Sequence, residues 1–200
     1  MGLVRDNTPP VSEQPWSILI ADDDAPTRIL LRAAISQWGY KIIEAKNGED
    51  AWNIMQQADA PRITILDWLM PGLNGIELCK RIKNEISLYT YIILLTQQTG
   101  PANLITGLEA GADEFLSKPF NMTELRNRLT IGARILQYER ELKNQNIILQ
   151  ENIRQVDSIL SDSSVLLDKI KQSSVDNSEI SLLEQKMGEI KAILKIYNNK

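Results

Sequence analysis

The stretch Ile63-Thr64-Ile65-Leu66-Asp67-Trp68-Leu69-Met70-Pro71-Gly72 decides the fold. Its first residues, with Arg62, form a short run of β-branched and apolar side chains without the alternation of a half-solvated strand. Such a run belongs to a strand covered on both faces, as in a parallel sheet. An aspartate ends the run, and a Pro-Gly pair turns the chain. Outward from it the pattern repeats. Ser17-Ile18-Leu19-Ile20-Ala21 is a second apolar run, stopped by Asp22, Asp23 and Asp24. Strands are expected at 17–21, 40–44, 62–66, 91–95 and 113–117, with helices at about 26–38, 49–58, 74–86 and 101–110. On the first helix Ile29, Leu30, Ala33 and Ala34 are read as the apolar side. Five strands alternating with helices predict an α/β, doubly wound five-stranded parallel sheet of flavodoxin-like order 2-1-3-4-5.

Residues 1–15, with Pro9, Pro10 and Pro15, are expected to be a flexible N-terminal leader, and the α/β domain is placed at 16–125. Beyond Asn121 proline vanishes and glycine nearly so. Apolar positions then recur at steps of three and four: Ile135, Tyr138, Leu142, Gln145, Leu149, Asn152, Val156, Ile159, Ser163, Leu166 and Ile170, with Gln145, Asn152 and Ser163 the polar members. This is a heptad seam. It predicts a coiled-coil helix over 126–173 continuing the last helix of the domain. A helix from 121 to 173 would be about 80 Å long. It has no core of its own, so its stripe needs a partner, and Asn152 in the seam favours a parallel, in-register homodimer. Residues 174–200 are read as a break and a second amphipathic helix. Its seam is Ile180, Leu183, Met187, Ile190, Leu194 and Tyr197, with Ser181 and Glu184 spaced as a capping box.

Composition narrows the chemistry. The chain has 200 residues, 22 basic and 26 acidic, with a net charge of −4, which argues against a nucleic-acid surface. One cysteine, Cys79, excludes an internal disulfide framework and fits a cytoplasmic setting; its spacing from Ile76 and Ile82 marks it as a buried small hydrophobe. Neither a membrane-length apolar run nor a signal-peptide pattern is seen. Histidine is absent, which excludes histidine-based acid–base catalysis and imidazole ligation in this chain.

Four features fall at the carboxyl ends of expected strands, where open parallel sheets place their sites. They are Asp22 with Asp23, Asp67, Thr96 and Lys118 followed by Pro119. Taken singly, an acidic triplet is a helix cap, a Pro-Gly is turn punctuation, and the threonine and lysine are ordinary strand ends. Together, and in order, they make a constellation. Converging carboxylates raise one another's pKa unless a cation joins them, and a hard divalent ion with oxygen ligands, Mg²⁺ above all, meets that need. A lysine and a hydroxyl beside such a pocket suit a phosphoryl group, and an aspartate can accept one.

On the segments Ile18-Leu19-Ile20-Ala21-Asp22-Asp23-Asp24, Leu66-Asp67-Trp68-Leu69-Met70-Pro71-Gly72, Leu94-Leu95-Thr96 and Gly111-Ala112-Asp113-Glu114-Phe115-Leu116-Ser117-Lys118-Pro119-Phe120, residues 16–125 resemble the receiver domain of two-component response regulators. The resemblance implies that Asp67 takes the phosphoryl group from a histidine kinase or phosphotransfer protein. It implies that Asp22, Asp23, Asp67 and the backbone carbonyl of Trp68 hold Mg²⁺, and that Thr96 and Lys118 sense the phosphoryl group. Phe115 would rotate inward on activation, the Lys118-Pro119 bond would be cis, and the α4-β5-α5 face would move. Gln97 departs from the small residue usual after the switch threonine. Leu69 stands where family members tune acyl-phosphate hydrolysis, and its bulk is expected to slow attack by water.

The expectation is therefore a phosphorylation-controlled dimeric regulator, not an enzyme beyond self-catalysed phosphotransfer and slow autodephosphorylation, that signals through its coiled coil to a downstream protein. Two alternatives stand beside it. One is the regulatory fragment of a longer receiver–coiled-coil–effector enzyme such as a cyclase, phosphatase or kinase. The other is an inert pseudo-receiver dimer scaffold. A transcription factor fits least, since the tail has no helix-turn-helix signal and no basic cluster.

Overall fold

The structure, a computed structural model, describes residues 16–97, 101–171 and 177–198. Elements alternate along the chain: β1 (Ser17–Ala21), α1 (Ala25–Gln37), β2 (Lys41–Ala45), α2 (Gly48–Met55), β3 (Ile63–Asp67), α3 (Gly75–Glu85), β4 (Tyr91–Thr96), α4 (Pro101–Glu109), β5 (Glu114–Ser117), α5 (Met122–Lys171) and α6 (Asn177–Asn198). The strands form one parallel sheet of order β2-β1-β3-β4-β5, as the sequence predicts. Every residue of β3 and β4 is buried, which is why neither strand shows polar alternation.

Alternate side chains feed two cores. Ile18, Ile20, Ile63, Ile65, Ile93 and Leu95 pack with Leu31 and Ile35 of α1 and with Leu125, Leu129 and Leu136 of α5. Leu19, Ala21, Leu66, Ile92 and Leu94 pack on the other face with Trp52 and Met55 of α2 and Leu78, Cys79 and Ile82 of α3. The period of two along each strand thus assigns the helices to faces. One expectation fails here. On α1, Ile29 and Leu30 are exposed and the buried residues are Leu31 and Ile35. At about 100° per residue an apolar pair at 29–30 and one at 31 and 35 mark different faces, and packing on the sheet chooses the second.

Strand-to-helix turns share one device. Asp24 accepts from the Thr27 amide at 3.0 Å, Asn47 from Asp50 at 2.7 Å, and Asn74 from Glu77 at 2.9 Å. Each side chain satisfies an amide that the first turn leaves unpaired, so the helices start at fixed points just beyond the strand ends. The α2 pattern read to residue 58 stops at Met55, where the chain turns before Pro61.

The chain divides into two compact units between Tyr138 and Glu139, and α5 runs through the division. In the second unit α6 returns antiparallel to the C-terminal part of α5. Lys191 donates to Ser164 Oγ at 3.0 Å, and a groove is lined by Ser164, Leu167 and Asp168 against Glu184, Met187, Gly188 and Lys191. Two helices in contact and joined by a connection of five residues form a helical hairpin. Among the described residues Ile153, Leu160, Leu167 and Ile180 are its buried hydrophobic residues. None of the three on α5 belongs to the expected seam: Leu142, Leu149, Val156, Ile159, Leu166 and Ile170 stay exposed. The expected capping box is also corrected, because α6 begins at Asn177 and Ser181 and Glu184 lie inside it. The leader at 1–15 and most of the break at 174–200 preceding α6 lie outside the described residues.

Candidate functional site

Parallel pairing with Ala21 opposite Leu66 and Asp67 opposite Leu95 brings the carboxyl ends of β1, β3 and β4 to one edge. Asp22 follows β1 directly, with its amide donating to the Ala45 carbonyl at 3.3 Å. Asp67 is the last residue of β3 and Thr96 the last of β4. Lys118 follows β5, its amide donating to the Thr96 carbonyl at 2.7 Å. The Lys118-Pro119 bond is cis.

Three carboxylates converge. One oxygen each from Asp22, Asp23 and Asp67 lie within 4.8 Å of one another. Lys118 Nζ bridges two of them, 2.7 Å from Asp22 Oδ2 and 2.9 Å from Asp67 Oδ2. Asp22 is wholly buried, Asp67 nearly so, and Asp23 is open to solvent. Asp22 is otherwise well tied: its Oδ1 accepts from the Asp24 amide at 2.9 Å, and its carbonyl accepts from Arg28 at 2.8 Å. The mouth of the pocket is lined by Asp23, Asp24, Thr27, Asp67, Trp68, Leu69, Gln97 and Lys118.

Burial pushes the Asp67 carboxyl above its ordinary value; the Lys118 bond opposes this, while Asp22 and then Asp23 reinforce it. Desolvation would lower the Lys118 ammonium, yet its bonds to Asp22 and Asp67 outweigh that and raise it. Asp24 differs: hydrogen bonds from the Thr27 hydroxyl and amide hold its carboxyl below the usual range. It is spent on capping α1, so the triplet splits into two pocket carboxylates and one cap. The excess of negative charge, two buried acids and an exposed third around one ammonium, fits a divalent cation.

The remaining expected residues fall nearby. The Trp68 carbonyl accepts from the Gly75 amide at 3.0 Å and retains a second lone pair. Thr96 is buried at the same sheet edge. Leu69 is 56% exposed and lines the pocket mouth together with Gln97. Phe115 is half-buried and packs with Trp68 on the α2–α3 core. Its ring lies against Gly107 of α4: a Cβ there would fall 2.2 Å from Phe115 Cε1 and 3.3 Å from Trp68 Cζ3.

Sequence reading missed three contributors. Arg28, which holds the Asp22 carbonyl and lies 3.8 Å from Glu44, was signalled only by a cation in the first turn after the triplet. Gly75 is required because a Cβ would sit 2.0 Å from the Asp67 carbonyl oxygen, and Gly107 because of the Phe115 ring. Both glycines looked like ordinary helix residues, since the crowding comes from elements distant in sequence. Cys79 is buried, as read, with its thiol donating to the Ala110 carbonyl at 3.2 Å.

Comparison with known proteins follows the same geometry. The family model described as the response regulator receiver domain matches residues 18–130. The chain is 41% identical over 114 residues to the phosphate regulon transcriptional regulatory protein PhoB of Pseudomonas aeruginosa, covering 56% of this chain and 49% of that one. It is 42% identical over 118 residues to the response regulator GtcR of Aneurinibacillus migulanus, covering 59% and 48%. The chain thus spans about half the length of the curated relatives it matches. Among solved structures, the Francisella response regulator 1452 receiver domain aligns with a TM-score of 0.56 at 29% identity, over 60% of this chain and 97% of that one. The Vibrio cholerae chemotaxis protein CheY4 aligns at 0.52 and 30%, over 57% and 95%. With its sheet order, its acidic edge and these matches, the chain belongs to the response regulator receiver family through residues 18–130.

Proposed function

We propose that Asp67 accepts a phosphoryl group from a phosphohistidine on a kinase or phosphotransfer protein. An Asp67 carboxylate oxygen bonds to phosphorus as the histidine N–P bond breaks, leaving on the donor an imidazole that is neutral because its other ring nitrogen carries a proton, and an acyl phosphate here. The observation that carries this reading is the Lys118 ammonium, 2.9 Å from Asp67 in a pocket shared with Asp22 and Asp23. Asp22, Asp23, Asp67 and the Trp68 carbonyl would hold Mg²⁺, which when bound offsets the negative charge of the phosphoryl oxygens. Lys118 and the Thr96 hydroxyl would bond those oxygens, and Phe115 with α4 would be the element whose packing answers. The bulk of Leu69 at the pocket mouth slows attack of water on the acyl phosphate.

We further read the chain as a regulator with no catalytic output of its own, cytoplasmic, and dimeric through the apolar stripe of α5. The change at the pocket passes to a downstream protein. Among the described residues no helix is long and apolar enough to cross a membrane. The stretch from Glu139 to Lys200 carries ten acidic and nine basic residues, which suits a protein contact better than a nucleic-acid one.

The test is intact-protein mass spectrometry after incubation with Mg²⁺ and acetyl phosphate. One labile phosphoryl adduct is expected, absent in Asp67→Asn. No adduct under conditions that label an ordinary receiver would assign the pocket to an inert scaffold, with Gln97 as the first residue to replace.

A further inference from the structure

The helical hairpin of the second unit has two unlike sides. On one, the groove between α5 and α6 carries Ser164, Asp168, Glu184 and Lys191 beside Leu167, Met187 and Gly188. The other side follows from helical geometry. At about 100° per residue, the exposed stripe of α5 (Leu149, Val156, Ile159, Leu166) is turned roughly 70° from its buried residues Ile153, Leu160 and Leu167. On α6, exposed Leu183 and Ile190 are turned roughly 50°, in the same rotational sense, from the line of buried Ile180 and half-buried Met187 and Leu194. Because the two helices run antiparallel, rotation in the same sense in each one's own frame carries both stripes to the same side of the hairpin. They form one largely apolar face, opposite the side that carries Ser164, Asp168, Glu184 and Lys191.

A helix whose apolar arc extends past the residues buried on one neighbour occupies a corner of a four-helix bundle, the rest of the arc meeting a second neighbour. Both helices of this hairpin have that form, so two corners are filled and two are open. We infer that a second copy of this chain fills them, its hairpin face packed on this one, so that the dimer is a four-helix bundle instead of a two-stranded coiled coil.

Three features favour an identical copy. On α5 the stripe from Leu142 through Ile170 carries no charged side chain, its polar members being Gln145, Asn152 and Ser163, and on α6 Lys186 is the charge beside Leu183 and Ile190. A second stripe of the same apolar and amide character matches the α5 side. The unit is close to charge balance, ten acidic against nine basic residues, so self-association meets little like-charge repulsion. Among the described residues the hairpin buries only Ile153, Leu160, Leu167 and Ile180, and closed two-fold pairing of one patch with itself is the commonest way to complete such a core.

This inference rests on the dimeric reading above and adds its architecture, and one experiment separates the two. The full chain is examined by sedimentation equilibrium as wild type and in three double variants, with helicity followed by circular dichroism. Leu183→Gln/Ile190→Gln on α6 is expected to weaken the dimer at least about 100-fold, as is Leu149→Gln/Val156→Gln on α5, since each removes four apolar contacts per dimer. Ile147→Gln/Val165→Gln, equally exposed but turned away from the face, is expected to leave the dissociation constant within about threefold. All four positions on the face are exposed within one hairpin, so its folding should survive their replacement. A dimer that falls apart with the α5 pair yet withstands the α6 pair is two-stranded, which overturns the bundle and keeps the dimer. A monomeric wild type at micromolar concentration overturns both.

Discussion

Replacing Lys118 with methionine isolates the electrostatics of the pocket. The side chain volume is nearly kept, and the ammonium bridging Asp22 and Asp67 at 2.7 and 2.9 Å is lost. Asp22 is wholly buried, and the side chains of Lys118 and Asp67 are 13% and 10% exposed, so solvent cannot replace the missing charge. Removing one member of a buried pair costs about 3–5 kcal/mol, because the surviving charge is left uncompensated. The pocket opens to water at Asp23, which puts the expected loss near the low end, about 3 kcal/mol. For a domain of this size that corresponds to a fall in Tm of roughly 10 °C. The assay is urea unfolding in Mg²⁺-free buffer, followed by tryptophan fluorescence. Trp16, Trp38, Trp52 and Trp68 all precede Tyr138, so the signal reports the receiver unit alone.

The mechanism makes two further demands of the same assay. In an Asp67→Asn background the Lys118→Met cost should shrink to under about half, since one of the stranded carboxylates is gone. The cost should also shrink on acidification. Asp67 has a folded pKa raised above its ordinary 3.8, so its ionisation weakens the fold as pH rises through that raised value; protonation on the way down restores stability, most of all where Lys118 is missing. A Lys118→Met loss below about 1 kcal/mol at pH 7, or one unchanged by Asp67→Asn, would refute the account of Lys118 as the charge that holds this pocket together.

Gly75→Ala is expected to cost about 3 kcal/mol or more, because its Cβ would meet the Asp67 backbone oxygen and neither β3 nor α3 can yield alone; Gly107→Ala, which meets the movable Phe115 ring, should cost about 1–2 kcal/mol in the same urea assay. Mg²⁺ affinity, measured by calorimetry, should rise with pH across the range in which Asp67 loses its proton, and Asp67→Asn should flatten that rise. Burial holds the Cys79 thiol at about 12, so the native protein should resist a thiol reagent at pH 8 and react at once in denaturant; rapid labelling of the folded chain would contradict the packing of α3.

Much of the receiver was legible from residues alone. The unbroken apolar runs of β3 and β4 follow from burial on both faces, and a parallel sheet is the arrangement that supplies it. Asp22, Asp67, Thr96 and Lys118 could be read as one edge, because strand ends and chain order together specify where a doubly wound sheet gathers its loops. What separated Asp24 from its two neighbours was local hydrogen bonding by Thr27, which three consecutive aspartates do not disclose.

Elsewhere local pattern and tertiary choice part company. Helix α1 offered two apolar faces, and the sheet selected Leu31 and Ile35 over Ile29 and Leu30. Gly75 and Gly107 are demanded by atoms of Asp67 and Phe115, which no window of sequence around either glycine contains. The long heptad seam of α5 was legible as an apolar stripe, since amphipathic periodicity is a property of one helix. Which stripe the returning α6 covers depends on how two helices meet, and Ile153, Leu160 and Leu167 were taken in place of the seam. Periodicity thus determined that this protein has a parallel sheet, an acidic edge and a long amphipathic helix. Only packing decided which of the available faces became interior, because a buried surface is a relation between elements and periodicity describes them one at a time.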